Sequence, residues 1–164
     1  MTDLTTALEA YKPNLEERFI SFTTGRFNRL VEQFGPTLRG VYNSNEYRNW
    51  QAIAGCTART GDRTSSEYVL DEARLAAAAK QFADETVVAW AAKIEGKLGE
   101  LADATVQRLD GARFNIVGTK NGRNVCIEQE MIVNVSSKGT LFNQFPARIY
   151  VDGKFTSAAK FAAI

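Results

Sequence analysis

The chain has 164 residues, 20 Lys or Arg against 19 Asp or Glu, and no histidine, for a formal charge of +1. That balance argues against both a bulk acidic DNA mimic and a strongly basic duplex coat. Without histidine there is no Ser-His-Asp triad, no His-activated cysteine and no His-containing zinc site. Cys56 and Cys126 are too few for a four-cysteine one.

Hydrophobic residues make up 45% and charged residues 24%, an ordinary globular balance. Leu4, Leu8 and Tyr11 recur at helical spacing, and Pro13 ends or bends that first segment. Asn14 with Glu17 reads as a capping box. The helix it opens carries Leu15, Phe19, Phe22, Phe27, Leu30, Val31 and Phe34 on one stripe and stops at Gly35-Pro36. A short helix over 45–54 would place Tyr47, Trp50 and Ile53 or Ala54 on one side, with Gly55 as its C-cap. Residues 56–63 read as a loop, mobile or partner-facing, bearing Arg59 and Arg63.

Thr64 and Glu67 read as a second capping box, opening a long helix that runs to about Leu109. Within it Val87, Ala91, Ile94, Leu98 and Leu101 form a heptad-like seam, for packing inside the chain or against a second copy. Gly96 and Gly99 weaken this helix or permit a close helix crossing.

The C-terminal third predicts a β-meander. Asn121-Gly122 is the dipeptide that a two-residue type I′ hairpin turn demands, since both positions need φ > 0. It pairs Lys120 with Arg123, Ile116 with Ile127 and Arg113 with Glu130. For the second hairpin a three-residue loop, Ser137-Lys138-Gly139, wins over a four-residue loop. It aligns Met131 with Phe145, Ile127 with Ile149 and Val125 with Val151, and a slip of one residue would turn every apolar side chain outward. One face is then apolar, and the other holds Arg113, Asn115, Glu128, Glu130, Arg148 and Tyr150. Pro146 marks its strand as an edge. Asp152-Gly153 makes the next turn, and Thr156 caps a short final helix with Ala159, Phe161 and Ile164.

The fold class is therefore α+β: N-terminal helices and a long central helix packed on a C-terminal three-stranded antiparallel meander with a short C-terminal helix. One domain spans 1–164, with a helical and loop subregion at 1–63, the long helix at 64–109 and the meander plus terminal helix at 110–164. Both cysteines read as reduced and buried. Asp3 and Glu9 stand where a secretory leader would be basic, and no run of 18 apolar residues exists, so neither a leader nor a membrane span is expected.

Glu128 and Glu130, about 7 Å apart on one strand face, have the spacing of an acid–base or cation pair. Arginines across the strand make an ion ladder the stronger reading. No catalytic, cofactor-binding or metal-ligating set emerges. The partner surfaces are the charged sheet face (Arg113, Glu128, Glu130, Arg148, Tyr150) and the loop arginines Arg59 and Arg63. The alternative is nucleic-acid binding, single-stranded or general, through Lys120, Arg123, Lys138, Arg148 and Lys154. It rests on seven Lys or Arg against four Asp or Glu in 110–164. The two glutamates at the centre of the face oppose it.

The segments Asn-Gly-Arg-Asn-Val-Cys-Ile-Glu-Gln at 121–129 and Lys-Gly-Thr-Leu-Phe-Asn-Gln-Phe-Pro-Ala-Arg-Ile-Tyr-Val-Asp-Gly-Lys at 138–154 resemble small accessory proteins of tailed bacteriophages. The resemblance covers roughly 68–155 and brings no catalytic motif. It implies a phage setting, in the host cytoplasm or the virion. The leading expectation is a non-enzymatic accessory protein that binds a host or phage protein, one version being an inhibitor of a host or antiviral-defence factor. A virion structural or assembly component, using the 87–101 seam or the C-terminal helix to form homo-oligomers, is a further alternative.

Overall fold

The computed structural model describes residues 4–61, 66–99, 101–109, 113–130, 132–144 and 147–164. In chain order they form α1 (Leu4–Glu9), α2 (Lys12–Phe34), α3 (Tyr47–Ile53), β1 (Thr57–Thr60), β2 (Glu67–Leu70) and α4 (Glu72–Leu98). Then follow β3 (Ala102–Arg108), β4 (Arg113–Lys120), β5 (Arg123–Glu130), β6 (Ile132–Val135), β7 (Leu141–Gln144), β8 (Ala147–Val151), β9 (Lys154–Thr156) and α5 (Ala158–Ala162). The fold is α+β with a long central helix and a short C-terminal one. Among the described residues no helix is long and apolar enough to cross a membrane.

Contacts divide the chain into two compact units. A sheet unit comprises Met1–Asn14, Ala83–Ile132 and Asn143–Ile164, and a second unit comprises Leu15–Phe82 and Val133–Phe142.

The main sheet has five antiparallel strands in the order β3-β4-β5-β8-β9, not three. The two extra strands arise from turns. Gly99, at φ 75°, ends α4 with its N–H on the Glu95 carbonyl, so the helix does not reach Leu109. Beyond it Ala104 is buried while Thr105 and Gln107 are exposed, the period-2 pattern of a half-buried strand. At the other edge Asp152 and Gly153 (φ 49° and 81°) fold Lys154–Thr156 back on β8. β8 therefore lies between β5 and β9 and is not an edge strand. Pro146, just ahead of it, lies outside the described residues, as do Met131 and Phe145 and so their expected pairing. The cap of α5 is Ser157, not Thr156: its Oγ accepts from the Lys160 N–H at 3.3 Å.

Both predicted registers hold where they are described. Every pair from Arg113↔Glu130 to Lys120↔Arg123 is present around a turn with Asn121 and Gly122 at φ 51° and 77°. In the second hairpin the Ser136 N–H donates to the Thr140 carbonyl at 2.8 Å and Gly139 sits at φ 77°, closing a three-residue loop. The same register continues to Ile127↔Ile149 and Val125↔Val151. The tip of that hairpin separates as a two-stranded ribbon of β6 and β7.

Phe114 is the focus of the sheet unit's core. It is fully buried, with the Tyr11 and Trp90 rings each 4.5 Å from its own. Ile116, Val125, Ile127 and Val87, Ala91 and Ile94 of α4 are buried in the same unit. The heptad-like seam is thus occupied within the chain, and Leu101 lies past the helix end. Phe161 of α5 is also fully buried, beneath the Lys120 ammonium 4.4 Å from its ring. Nothing packs within 4 Å of the Cβ position at Gly96, so no close helix crossing uses it.

α2 starts at Lys12, three residues before the Leu15 start of its capping-box reading, with Pro13 in the first turn where a missing N–H is harmless, and it belongs to the second unit from Leu15 on. Its stripe buries Phe19, Thr23, Phe27 and Leu30. Residues 57–60 are not a mobile loop but β1, paired with β2 from Thr57↔Leu70 to Thr60↔Glu67. The cap of α4 is accordingly Asp71, whose Oδ1 accepts from the Arg74 N–H at 2.9 Å, because Glu67 is taken into the ladder; Thr64 lies outside the described residues. Ala54 rather than Gly55 caps α3, which runs on into a 3₁₀ turn.

Candidate partner-binding site

β4, β5 and β8 carry opposite charges across adjacent strands. Arg113 faces Glu130, and Glu128 faces Arg148. All four are exposed, since the Asn121-Gly122 turn sets a register that sends Phe114, Ile116 and Ile127 to the other face. Together with Leu109, itself 58% exposed, they line a hollow of about 340 Å³ completed by Phe114 and Gln129. This volume lies in the range of about 300–1,000 Å³ that binding pockets occupy.

Gln129 is the buried polar member of that lining, and its Oε1 has no hydrogen-bond partner among the described residues. An amide oxygen buried in this way costs about 1–3 kcal/mol. The register position of Gln129 opposite Phe114 puts its side chain on the core face, behind the charged row. The sequence showed Gln129 opposite Phe114 in the register but carried no sign that its side chain would be buried and unmatched.

Tyr150 is half-buried beside Cys126 and meets the Phe155 ring edge-on, with centroids 6.0 Å apart. It borders the charged row without lining the hollow. Phe155, 68% exposed on the added strand β9, extends this face with an aromatic that the three-strand reading missed. Arg59 belongs to the other unit, on β1, its guanidinium 5.5 Å from the Tyr68 ring. Arg63 lies outside the described residues.

Of the cationic set suggested for nucleic acid, Lys120 and Arg123 face each other across the β4–β5 hairpin, and Arg148 and Lys154 lie on β8 and β9 of the same sheet. The Lys120 ammonium is committed to α5, where it also donates to the Phe161 carbonyl at 3.2 Å. Arg123 and Lys154 are exposed beside neighbouring turns, which the Asp152 N–H joins by donating to the Asn124 carbonyl at 2.8 Å, and Lys138 belongs to the other unit.

Both thiols are free. Burial pushes the Cys56 thiol pKa up. It does the same to Cys126, whose pKa the Glu128 carboxylate raises further. The negative charge opposes thiolate formation, so Glu128→Gln should lower the Cys126 pKa and speed its alkylation by iodoacetamide near neutral pH. Peptide mapping separates it from Cys56. A pH–rate profile that does not move would mean that burial alone sets its reactivity.

No protein-family model, no curated protein and no solved structure matches this chain.

Proposed function

We propose that the chain is a non-enzymatic binding protein whose sheet-side hollow receives a polar segment of a partner protein. The carrying observation is the hollow itself, with two arginines and two glutamates alternating in sign across three strands. Such a pattern favours a segment of complementary alternating charge and disfavours a nucleic-acid backbone, which Glu128 and Glu130 would repel. The histidine-free composition supports action by binding rather than by catalysis. The resemblance to phage accessory proteins makes an infected host the place to look, and a host or antiviral-defence factor the kind of target.

The experiment uses a charge swap. Arg148→Glu puts like charges opposite each other, at a cost of about 0.2–1 kcal/mol that the sheet tolerates. It should abolish capture of the partner from infected cells. Combining it with Glu128→Arg restores the cross-strand pair in reverse order, so stability returns but capture does not. Full capture by either folded variant would remove the hollow from the interface.

A second copy or a virion assembly docking through the 87–101 seam would compete with the burial of Val87, Ala91 and Ile94 in the chain's own core. The hollow carries no such conflict.

A further inference from the structure

The second unit holds a larger groove, of about 630 Å³. Its geometry begins where Gly35 ends α2. The chain turns through Leu38 in a left-handed conformation (φ 53°), which a β-carbon makes costly. Burying the Leu38 side chain with Phe27, Leu30, Val41, Trp50 and Ile53 offsets that strain. With Leu38 anchored inward, Arg39 and Tyr42 are left exposed along one side of the groove, Tyr42 at 61%. The other side is β1 and β2. The Tyr68 N–H donates to the Pro36 carbonyl at 2.8 Å and ties β2 to the loop. The Tyr68 ring packs edge-on against buried Trp50 and carries Arg59 above it.

The groove therefore presents two arginines and two accessible or half-buried tyrosines, and no carboxylate is among its described lining residues. We propose that it binds single-stranded nucleic acid, a base stacking on Tyr42 or Tyr68 while Arg39 and Arg59 contact successive phosphates. This goes beyond the sheet-side reading, since it uses a different unit and a different chemistry. The charge favours an anion. The pairing of cations with flat rings favours a ligand that alternates phosphate with base, and aromatic side chains accept every base because each has a π face. An acidic peptide would use the arginines and leave the exposed rings idle.

The test is fluorescence anisotropy of the full chain with a labelled oligothymidylate of about ten nucleotides. Two phosphate contacts on a single strand predict a slope of about −1.4 for log association constant against log salt. Arg39→Ala and Arg59→Ala should each cut that slope to about −0.7. Tyr42→Ala, at an exposed position that leaves the core intact, should weaken binding about tenfold with the slope unchanged. Lys80→Glu, a charge reversal on exposed α4 surface outside the groove, should leave Tyr42-dependent binding in place. Absence of binding at low salt overturns the proposal. So does binding that survives the groove substitutions in proteins with native circular dichroism. Displacement of the oligonucleotide by polyglutamate as effectively as by unlabelled oligonucleotide would also overturn it, and would assign the groove to an acidic protein segment.

Discussion

Replacing Phe114 by alanine should destabilise the sheet unit by about 3–5 kcal/mol, the range for emptying a large aromatic site in a packed core. Phe114 is fully buried and in ring contact with two partners, both far earlier in the sequence: Tyr11 at an interplanar angle of 40° and Trp90 at 79°. The edge-to-face pair with Trp90 adds about 0.5–1.5 kcal/mol beyond area burial. The ring therefore joins the N-terminal helical segment, α4 and β4 into one packing centre. With only two tryptophans, one in each unit, Trp90 reports on this centre and Trp50 on the other unit. In a Trp50→Phe background the Trp90 fluorescence transition should shift to lower urea by about 1–3 M. Phe114→Leu, which keeps most of the volume, should cost less than about 1.5 kcal/mol. A loss below about 1 kcal/mol for the alanine variant would show that the three rings do not organise this core.

Gly118→Ala should cost about 1–3 kcal/mol, the usual penalty for overpacking, although a single methyl is added on a strand. A β-carbon there would sit 2.9 Å from the Ala102 carbonyl oxygen and 3.4 Å from Ala104 Cα. The obstacle is backbone, so no rotamer change can relieve it. The reason is the bulge in β3: the register shifts between Ala102 and Thr105, Asp103 takes φ 53°, and the bulged strand closes on β4 at Gly118. Hydrogen exchange should quicken at 102–105 more than at the Asn121-Gly122 hairpin. Gly96→Ala is the contrast, because its Cβ meets open space in the interior of α4 and should stabilise by up to about 1 kcal/mol. If both substitutions prove neutral, the bulge is not held against Gly118.

Local chemistry made the C-terminal hairpins readable. Asn121-Gly122 and Ser137-Lys138-Gly139 each specify a turn within a few residues, and period-2 alternation then carries the register outward to Ile127↔Ile149. From that register alone Arg113, Glu128, Glu130 and Arg148 could be placed on one face. Where the same local reading failed, a distant partner decided the outcome. Leu101 to Leu109 has helix-forming residues, yet it becomes β3 because β4 offers an unpaired edge and Gly99 has already ended the helix. Thr57–Thr60 and Glu67–Leu70 are short and weakly patterned, and only their pairing with each other makes them strands.

The two candidate sites divide along the same line. By itself the sequence determined the histidine-free chemistry, the turn types, the strand register and the identity of the charged face, because each depends on residues within one hairpin. Only the tertiary structure decided that this face closes into a hollow with Leu109, that Lys120 is turned to α5, and that Arg39, Tyr42, Arg59 and Tyr68 share one groove. The physical reason is range: propensity and periodicity act over a few residues, whereas a cavity is set by packing between segments far apart in the chain.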